Sequence, residues 1–192
     1  SDFTLNGRNS TVYPYYSKAR LALQNIFDAK NEKIVVENNI DEEPVYLYFL
    51  TDGYNAVHLI SLERKEEDGL IKIKAPSGKI SVQTVENIMN RAVFPFLDDT
   101  MEYAGSFLGI LGLKVKFQSG KFYVLEYYNE FQSYDLQAFL SLLNEDLAEL
   151  FRQAAFKQLE TRSGIELEEK YSYTIAFKKT SELKNTDEDD FI

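Results

Sequence analysis

The residues able to do chemistry in this chain are few. It has one histidine and no cysteine in 192 residues, so carboxylates, hydroxyls and lysines must supply any reactive group. His58 stands in "NAVHLIS", an alternating run that sets it on the face opposite Val57 and Leu59. One imidazole builds neither a triad nor a histidine-rich zinc centre, and it reads as a surface or hydrogen-bonded strand residue. The missing cysteines remove disulfides, thiolate metal ligands and thiol nucleophiles together. Among carboxylates, Asp98, Asp99 and Glu102 fall close together, and a spacing of three or four places two of them on one helix face. A divalent ion needs several converging oxygens. The set therefore reads as a charged helix terminus, with a metal-dependent hydrolase as the alternative.

Other motifs carry less. Asp41–Glu43 and Lys65–Asp68 read as charged turns. Glu63 and Lys65 make the Glu-x-Lys pair of metal-dependent nucleases, but no Asp in a proline motif precedes them. "GSFLGILG" has three glycines without the Gly-Lys-Ser/Thr of a phosphate loop or a Rossmann spacing, so it reads as close packing or turns. Asn9-Ser10-Thr11 is formally a glycosylation sequon. No catalytic residue, metal or cofactor is expected from these patterns.

The elements that must position these groups follow from periodicity. Pro14 opens an amphipathic helix over 14–30, with apolar residues every three or four positions. Strands are expected at 33–38, 43–50, 54–64 and 70–75. "TDG" at 51–53 closes a hairpin, and "LIKIKA" alternates as a half-buried antiparallel strand does. Ser81 caps a second helix, which Pro95 ends or kinks; 98–112 is ambiguous because of Gly105, Gly109 and Gly112. "LKVKFQSGKFYVLEYY" is a hairpin turning at 118–121, in which Phe122, Val124 and Glu126 share a face. The spacing predicts one long helix over 134–160, about seven turns, followed by a strand at 170–179. The order α-βββ(β)-α-ββ-α-β predicts an α+β fold: an antiparallel sheet of about five to six strands flanked by three helices. Residues 1–12 read as a flexible N-terminal arm, 13–180 as a single domain, and 181–192 as an acidic tail.

Composition narrows the function classes. With 44% hydrophobic residues, 14 Phe and 13 Tyr, the chain can fill an aromatic-rich core. A net charge of −10 repels phosphates and anionic lipid, and no basic block exceeds two residues. Nucleic-acid binding is therefore disfavoured. The aromatic strand "KFYVLEYYNEF" lacks the basic funnel of a base-stacking platform and reads as core on one face and partner surface on the other. No run of 18 apolar residues exists to span a membrane, and no signal peptide is visible. The expected location is cytoplasmic.

A helix, a Gly-rich segment, the hairpin "LGLKVKFQSGKFYVLEYYNEF" and a long amphipathic helix, in that order over residues 15–160, resemble the YbjN group and the related type III secretion chaperone-like fold. The resemblance implies an antiparallel sheet flanked by helices, frequent dimers, and action by binding other proteins. It transfers no site residue, and the C-terminal strand and tail depart from it.

The chain closes on "NTDEDDFI". Two large apolar residues after a charge run gain nothing for folding when left free. Docked in a pocket, each contributes up to about 1.5–3 kcal/mol, while the acidic residues steer toward a basic groove. Asp187, Glu188, Asp189, Asp190, Phe191 and Ile192 are thus candidate partner-binding residues, with Phe139, Leu143, Leu147 and Phe151 on the long helix. The sequence reading is a non-catalytic protein-binding adaptor or chaperone-like module, not an enzyme, with another protein as partner and a possible homodimer. Its alternative is a phage or bacterial nucleic-acid-metabolism protein, like a single-stranded DNA-binding protein, that recruits partners through the tail.

Overall fold

Val45–Asp52, reading VYLYFLTD, is buried on both faces for almost its whole length. A strand of this kind has to be central and covered from above and below. The computed structural model describes residues 3–5, 12–13, 15–28, 36–38, 40–67, 69–132, 134–162 and 164–177. The chain divides into two units, Ser1–Glu42 and Glu43–Ile192.

In the first unit, β1 (Phe3–Leu5), β2 (Val12–Tyr13) and β3 (Val36–Asn38) form an antiparallel sheet in the order β2-β1-β3. Phe3 lies opposite both Tyr13 and Asn38. Helix α1 is Tyr16–Asp28 and buries Ala19. The stretch 1–12 read as an arm thus supplies β1 and the first residue of β2.

The second unit is built on the central strand, β4. Strands β5 (Ala56–Glu67), β6 (Leu70–Ala75), β7 (Leu108–Gln118), β8 (Lys121–Tyr128) and β9 (Ser172–Phe177) join it. The sheet is antiparallel throughout, in the order β8-β7-β4-β5-β6-β9. On one face, Tyr48, Leu50, Ile60, Leu62 and Ile73 pack with Ala138, Phe139 and Leu142 around α4 (Asp135–Leu140) and with Leu150 and Ala154 of α5 (Leu147–Ala155). On the other, Leu47, Phe49, Leu111 and Leu113 pack with Val85 and Ile88 of α2 (Val82–Ile88) and Leu97 of α3 (Phe94–Tyr103). The expected α+β class and the six-strand antiparallel sheet are what the chain forms.

Two β-bulges decide which side chains share a face. Tyr48 pairs with Ile60 while Phe49 pairs with His58, so Leu59 is an extra residue in β5. Lys114 pairs with Glu126 while Val115 pairs with Val124, so Leu125 is an extra residue in β8. An inserted residue flips the alternation beyond it. Phe122 and Val124 therefore pack with α2 and α3, whereas Glu126 and Tyr128, opposite Lys114 and Gly112, turn to the α4–α5 face. The expectation that Glu126 shares a face with Phe122 and Val124 is corrected by this bulge.

Two further expectations need correction, and one ambiguity is resolved. The helix over 134–160 is broken between Leu140 and Leu147. The Asp146 carboxylate accepts from the N–H of Ala148 at 2.8 Å and restarts the helix as its N-cap. The backbone freed in the break is paired: Asn144 N–H donates to Glu166 O and Glu168 N–H to Leu142 O. Apolar periodicity continues across the break because both helices face the same core, so spacing alone could not reveal it. Pro95 does not end its helix. A π-helical turn over Met89–Val93 precedes it, and Pro95 sits in the first turn of α3, where no backbone N–H is needed. The ambiguous 98–112 segment is helix to Tyr103 and strand from Leu108.

Candidate functional site

Six tyrosine and charged side chains meet where β4, β5 and β8 run past the start of α4. Tyr46 and Tyr48 of β4 and Arg64 of β5 project from the α4–α5 face by simple alternation. Glu126 and Tyr128 join them through the bulge at Leu125. Asp135 enters from the first residue of α4.

The Tyr48 hydroxyl donates to Asp135 Oδ2 at 2.6 Å and accepts from the Gln132 backbone N–H at 3.2 Å. Its ring stacks on Phe131 at 4.3 Å, and Phe131 stacks in turn on Phe139 at 5.4 Å. A Cβ at Gly112 would lie 2.8 Å from Tyr48 Cε1 and 3.2 Å from Tyr128 Cβ. Only glycine lets β7 pass this close to the two rings. Arg64 Nη1 lies 3.9 Å from Asp135 Oδ1, with the two side chains 19% and 0% exposed. Oδ1 itself is buried without a hydrogen-bond partner. Glu126 takes the Tyr128 hydroxyl on one oxygen and Lys114 Nζ at 3.4 Å on the other.

Charge here is expensive, and the site shows it. Burial pushes the Asp135 carboxyl up, against the pull of the Tyr48 hydrogen bond and the Arg64 guanidinium. Burial also raises Tyr48, and the neighbouring Asp135 adds to it. Tyr128 is raised by burial and by its bond to Glu126. Tyr46 is raised by burial, with Arg64 opposing. All three phenols are therefore neutral donors across the physiological range.

A cleft of about 300 Å³ opens over this cluster, lined by Glu43, Pro44, Tyr46, Arg64, Lys65, Glu66, Glu67, Tyr128 and Gln132. Its lining sets one guanidinium, one ammonium and two phenols among three carboxylates, Glu43, Glu66 and Glu67, with Asp135 buried beneath and Lys65 paired to Glu43. Such a cleft can grip an anion with Arg64 and Lys65. The carboxylates that line the cleft and could share a divalent ion with a ligand's oxygens are Glu43, Glu66 and Glu67, since Mg²⁺ usually takes only one or two protein carboxylates beside phosphates; Glu126 is held by Lys114 and Tyr128 outside that lining.

Of the motifs singled out in the sequence, Lys65 of the Glu63–Lys65 pair and the charged turns, through Glu43, Glu66 and Glu67, do line this cleft, while the carboxylate set on α3 and the partner-binding candidates do not. Asp98, Asp99 and Glu102 are exposed along α3, and among the described residues no group of three or more His, Asp or Glu could hold a metal ion. Glu63 accepts from Ser77 Oγ and pairs with Lys79 at 3.5 Å; Lys65 pairs with Glu43 at 3.9 Å. His58 bonds Ser61 Oγ at 2.9 Å and packs on Phe49 at 5.4 Å. The bulge at Leu59 is what turns both to one face. They border a second cavity of about 420 Å³ beside α2. Phe139 is fully buried in the core and closed to a partner, Leu143 and Leu147 pack against that core, and Phe151 is exposed. Residues 187–192 lie outside the described residues. Sequence reasoning missed Tyr46, Tyr48, Arg64, Glu126, Tyr128 and Asp135. The one available signal was an acidic residue opening a helix directly after an aromatic strand. No helix among the described residues is long and apolar enough to cross a membrane.

No family model and no curated protein matches the chain. Solved structures do match in fold. Phosphoribosylamine–glycine ligase from Thermotoga maritima superposes with a TM-score of 0.69 at 13% identity, over 91% of this chain and 48% of that one. N5-carboxyaminoimidazole ribonucleotide synthetase from Thermus thermophilus gives a TM-score of 0.60 at 14% identity, over 90% and 45%. N5-carboxyaminoimidazole synthetase from Staphylococcus aureus, complexed with ADP, gives 0.58 at 14%, over 86% and 43%. The chain thus spans about half or less of the length of these neighbours. The expectations of an adaptor or chaperone-like module, of a single-stranded DNA-binding-like protein and of a non-enzyme are corrected by these matches: the fold is shared with this ligase and these synthetases.

Proposed function

We propose that this chain is the nucleotide-binding part of an ATP-dependent ligase acting on a small metabolite. The observation that carries the reading is the cleft of Arg64, Lys65, Tyr46 and Tyr128 over buried Asp135, set in a fold shared with ligases, one of which holds ADP. Arg64 and Lys65 bind phosphate oxygens. The lining carboxylates Glu43, Glu66 and Glu67 would hold the divalent ion that neutralises those phosphates. Tyr46 offers a neutral hydroxyl donor along the cleft, while Tyr128, whose proton goes to Glu126, can only accept there. The bound nucleotide supplies the energy of phosphate transfer that drives joining of two small substrates. Tyr48, Gln132 and Asp135 hold the cleft floor in place. Asp135 also sets Arg64, whose charge it balances only loosely at 3.9 Å, so an incoming phosphate can draw the guanidinium outward.

The test is calorimetric titration of the full chain with Mg²⁺·ADP and Mg²⁺·ATP. Saturable one-to-one binding is expected, weakened at least about tenfold in Arg64→Met and in Lys65→Met, a loss of about 1.4 kcal/mol each. Lys65 is a half-exposed surface residue, so its variant keeps the fold even if the Arg64 variant does not. Absence of binding to the wild-type chain at millimolar nucleotide overturns the reading.

A further inference from the structure

The sheet face packed by α2 and α3 is not apolar only beneath them. The row Val45, Glu63, Lys74, Tyr173 runs across it from β4 to β9. At its far end Tyr173, Ile175 and Phe177 alternate outward, 68%, 61% and 80% exposed. A groove of about 280 Å³ opens beside them between Lys72, Lys74 and Ile175. β9 is an edge of the sheet, with β6 as its one partner strand among the described residues. An edge strand carrying large exposed apolar residues invites pairing with another strand.

We propose that a second copy of this chain covers this stripe, by antiparallel β9–β9 pairing about a two-fold axis through Ile175. The pattern selects that occupant. Tyr173-x-Ile175-x-Phe177 is symmetric about its centre in size and polarity. The two-fold axis sets Ile175 against Ile175 and each Tyr173 against the partner's Phe177, all on one face. A two-fold interface requires this self-complementarity, and an unrelated partner does not. The area agrees. Aromatic side chains bury about 150–250 Å² each when covered. Tyr173, Ile175, Phe177 and Tyr171, all more than half exposed, therefore remove on the order of 500 Å² per copy. The sum reaches the roughly 1,000 Å² that a specific interface needs. Charge sets the condition: each copy carries −10, but on this face Lys65 and Lys72 are paired with Glu43 and Glu67, so the repulsion between copies is long-range and screened by salt. The stripe Tyr173, Ile175 and Phe177 lies on the opposite sheet face from Tyr46 and Arg64, and the groove beside it shares only Lys65 with the nucleotide cleft.

Sedimentation velocity on the full chain tests the proposal, over about a hundredfold range of concentration because dimers obey mass action, at low and at high salt. The expected result is a monomer–dimer equilibrium that tightens as salt rises. Ile175→Lys sets two ammonium groups against each other on the axis and is expected to weaken the dimer more than tenfold. Tyr173→Lys is expected to do the same, with circular dichroism unchanged. Tyr103→Lys, at an exposed position of α3, is expected to leave it intact. A wild-type chain that stays monomeric at high salt, or a dimer that survives both β9 substitutions, overturns the proposal.

Discussion

The Tyr48 hydroxyl donates a 2.6 Å hydrogen bond to Asp135 Oδ2 across 87 residues of chain. This bond ties the central strand to the start of α4 and closes the floor of the cleft. It is also the main support of a carboxylate that has no exposure at all.

Tyr48→Phe keeps the ring and its stack on Phe131 but removes the hydroxyl. Asp135 Oδ2 and the Gln132 N–H then lose their shared partner in a buried place. The expected cost is about 1–3 kcal/mol, the penalty of stranding buried polar groups. It falls on the ionised form of Asp135, so it is largest at neutral pH and shrinks as the carboxyl protonates. Urea unfolding of both proteins across that range measures it; an equal difference at acid and neutral pH would place the cost elsewhere.

Gly112→Ala tests the close approach of β7. The added methyl meets Tyr48 Cε1 at 2.8 Å and Cδ1 at 3.1 Å. Tyr48 cannot yield, because two hydrogen bonds and the Phe131 stack fix it. Overpacking of this kind costs about 1–3 kcal/mol. A melting temperature equal to wild type would show that the ring moves freely.

What the sequence disclosed and what it hid separate along physical lines. Period-two alternation in "LIKIKA" and "KFYVLE" located strands, and the turn at 51–53 located the first hairpin, because those signals are local. The cleft over Asp135 was hidden because no local pattern announces it. Arg64 and Glu126 stand in alternating strands like any surface charge. Only two inserted residues, Leu59 and Leu125, decide that Ser61 faces His58 and that Glu126 faces Tyr46 rather than α2. A bulge is a property of strand pairing, invisible in one strand's periodicity. The break at 141–146 was hidden likewise, since its backbone is satisfied by residues 166–168, far along the chain.

His58 gives a prediction in pH. Burial holds its pKa down to about 4, whereas an unfolded histidine titrates near 6.5. Between those values the unfolded chain binds a proton that the folded chain refuses. Stability therefore rises with pH through this window, by up to about 1.4 kcal/mol per unit, and levels off above it. His58→Gln keeps a partner for Ser61 Oγ and removes the titration. Denaturant midpoints across the window should flatten in the variant; an unchanged slope would assign the effect to another group.

Arg64 and Asp135 can be separated by a double substitution. Arg64→Met leaves a buried carboxylate held by Tyr48 alone. Breaking a buried pair this way costs up to about 3–5 kcal/mol, and less here because the pair is loose and Arg64 is partly exposed. Without the guanidinium the folded pKa of Asp135, already raised, moves higher still. The folded state then holds the proton more tightly than the unfolded chain does. The stability this gives is full at low pH and is lost as pH rises through the folded pKa, so the Arg64→Met defect grows from acid to neutral pH. Adding Asp135→Asn removes the stranded charge while keeping an acceptor for the Tyr48 hydroxyl. The double variant is expected to be more stable than Arg64→Met alone at neutral pH, and still unable to hold nucleotide tightly. If the second substitution brings no rescue, Arg64 supports the fold through packing of its side chain over Tyr46 rather than through the charge of Asp135.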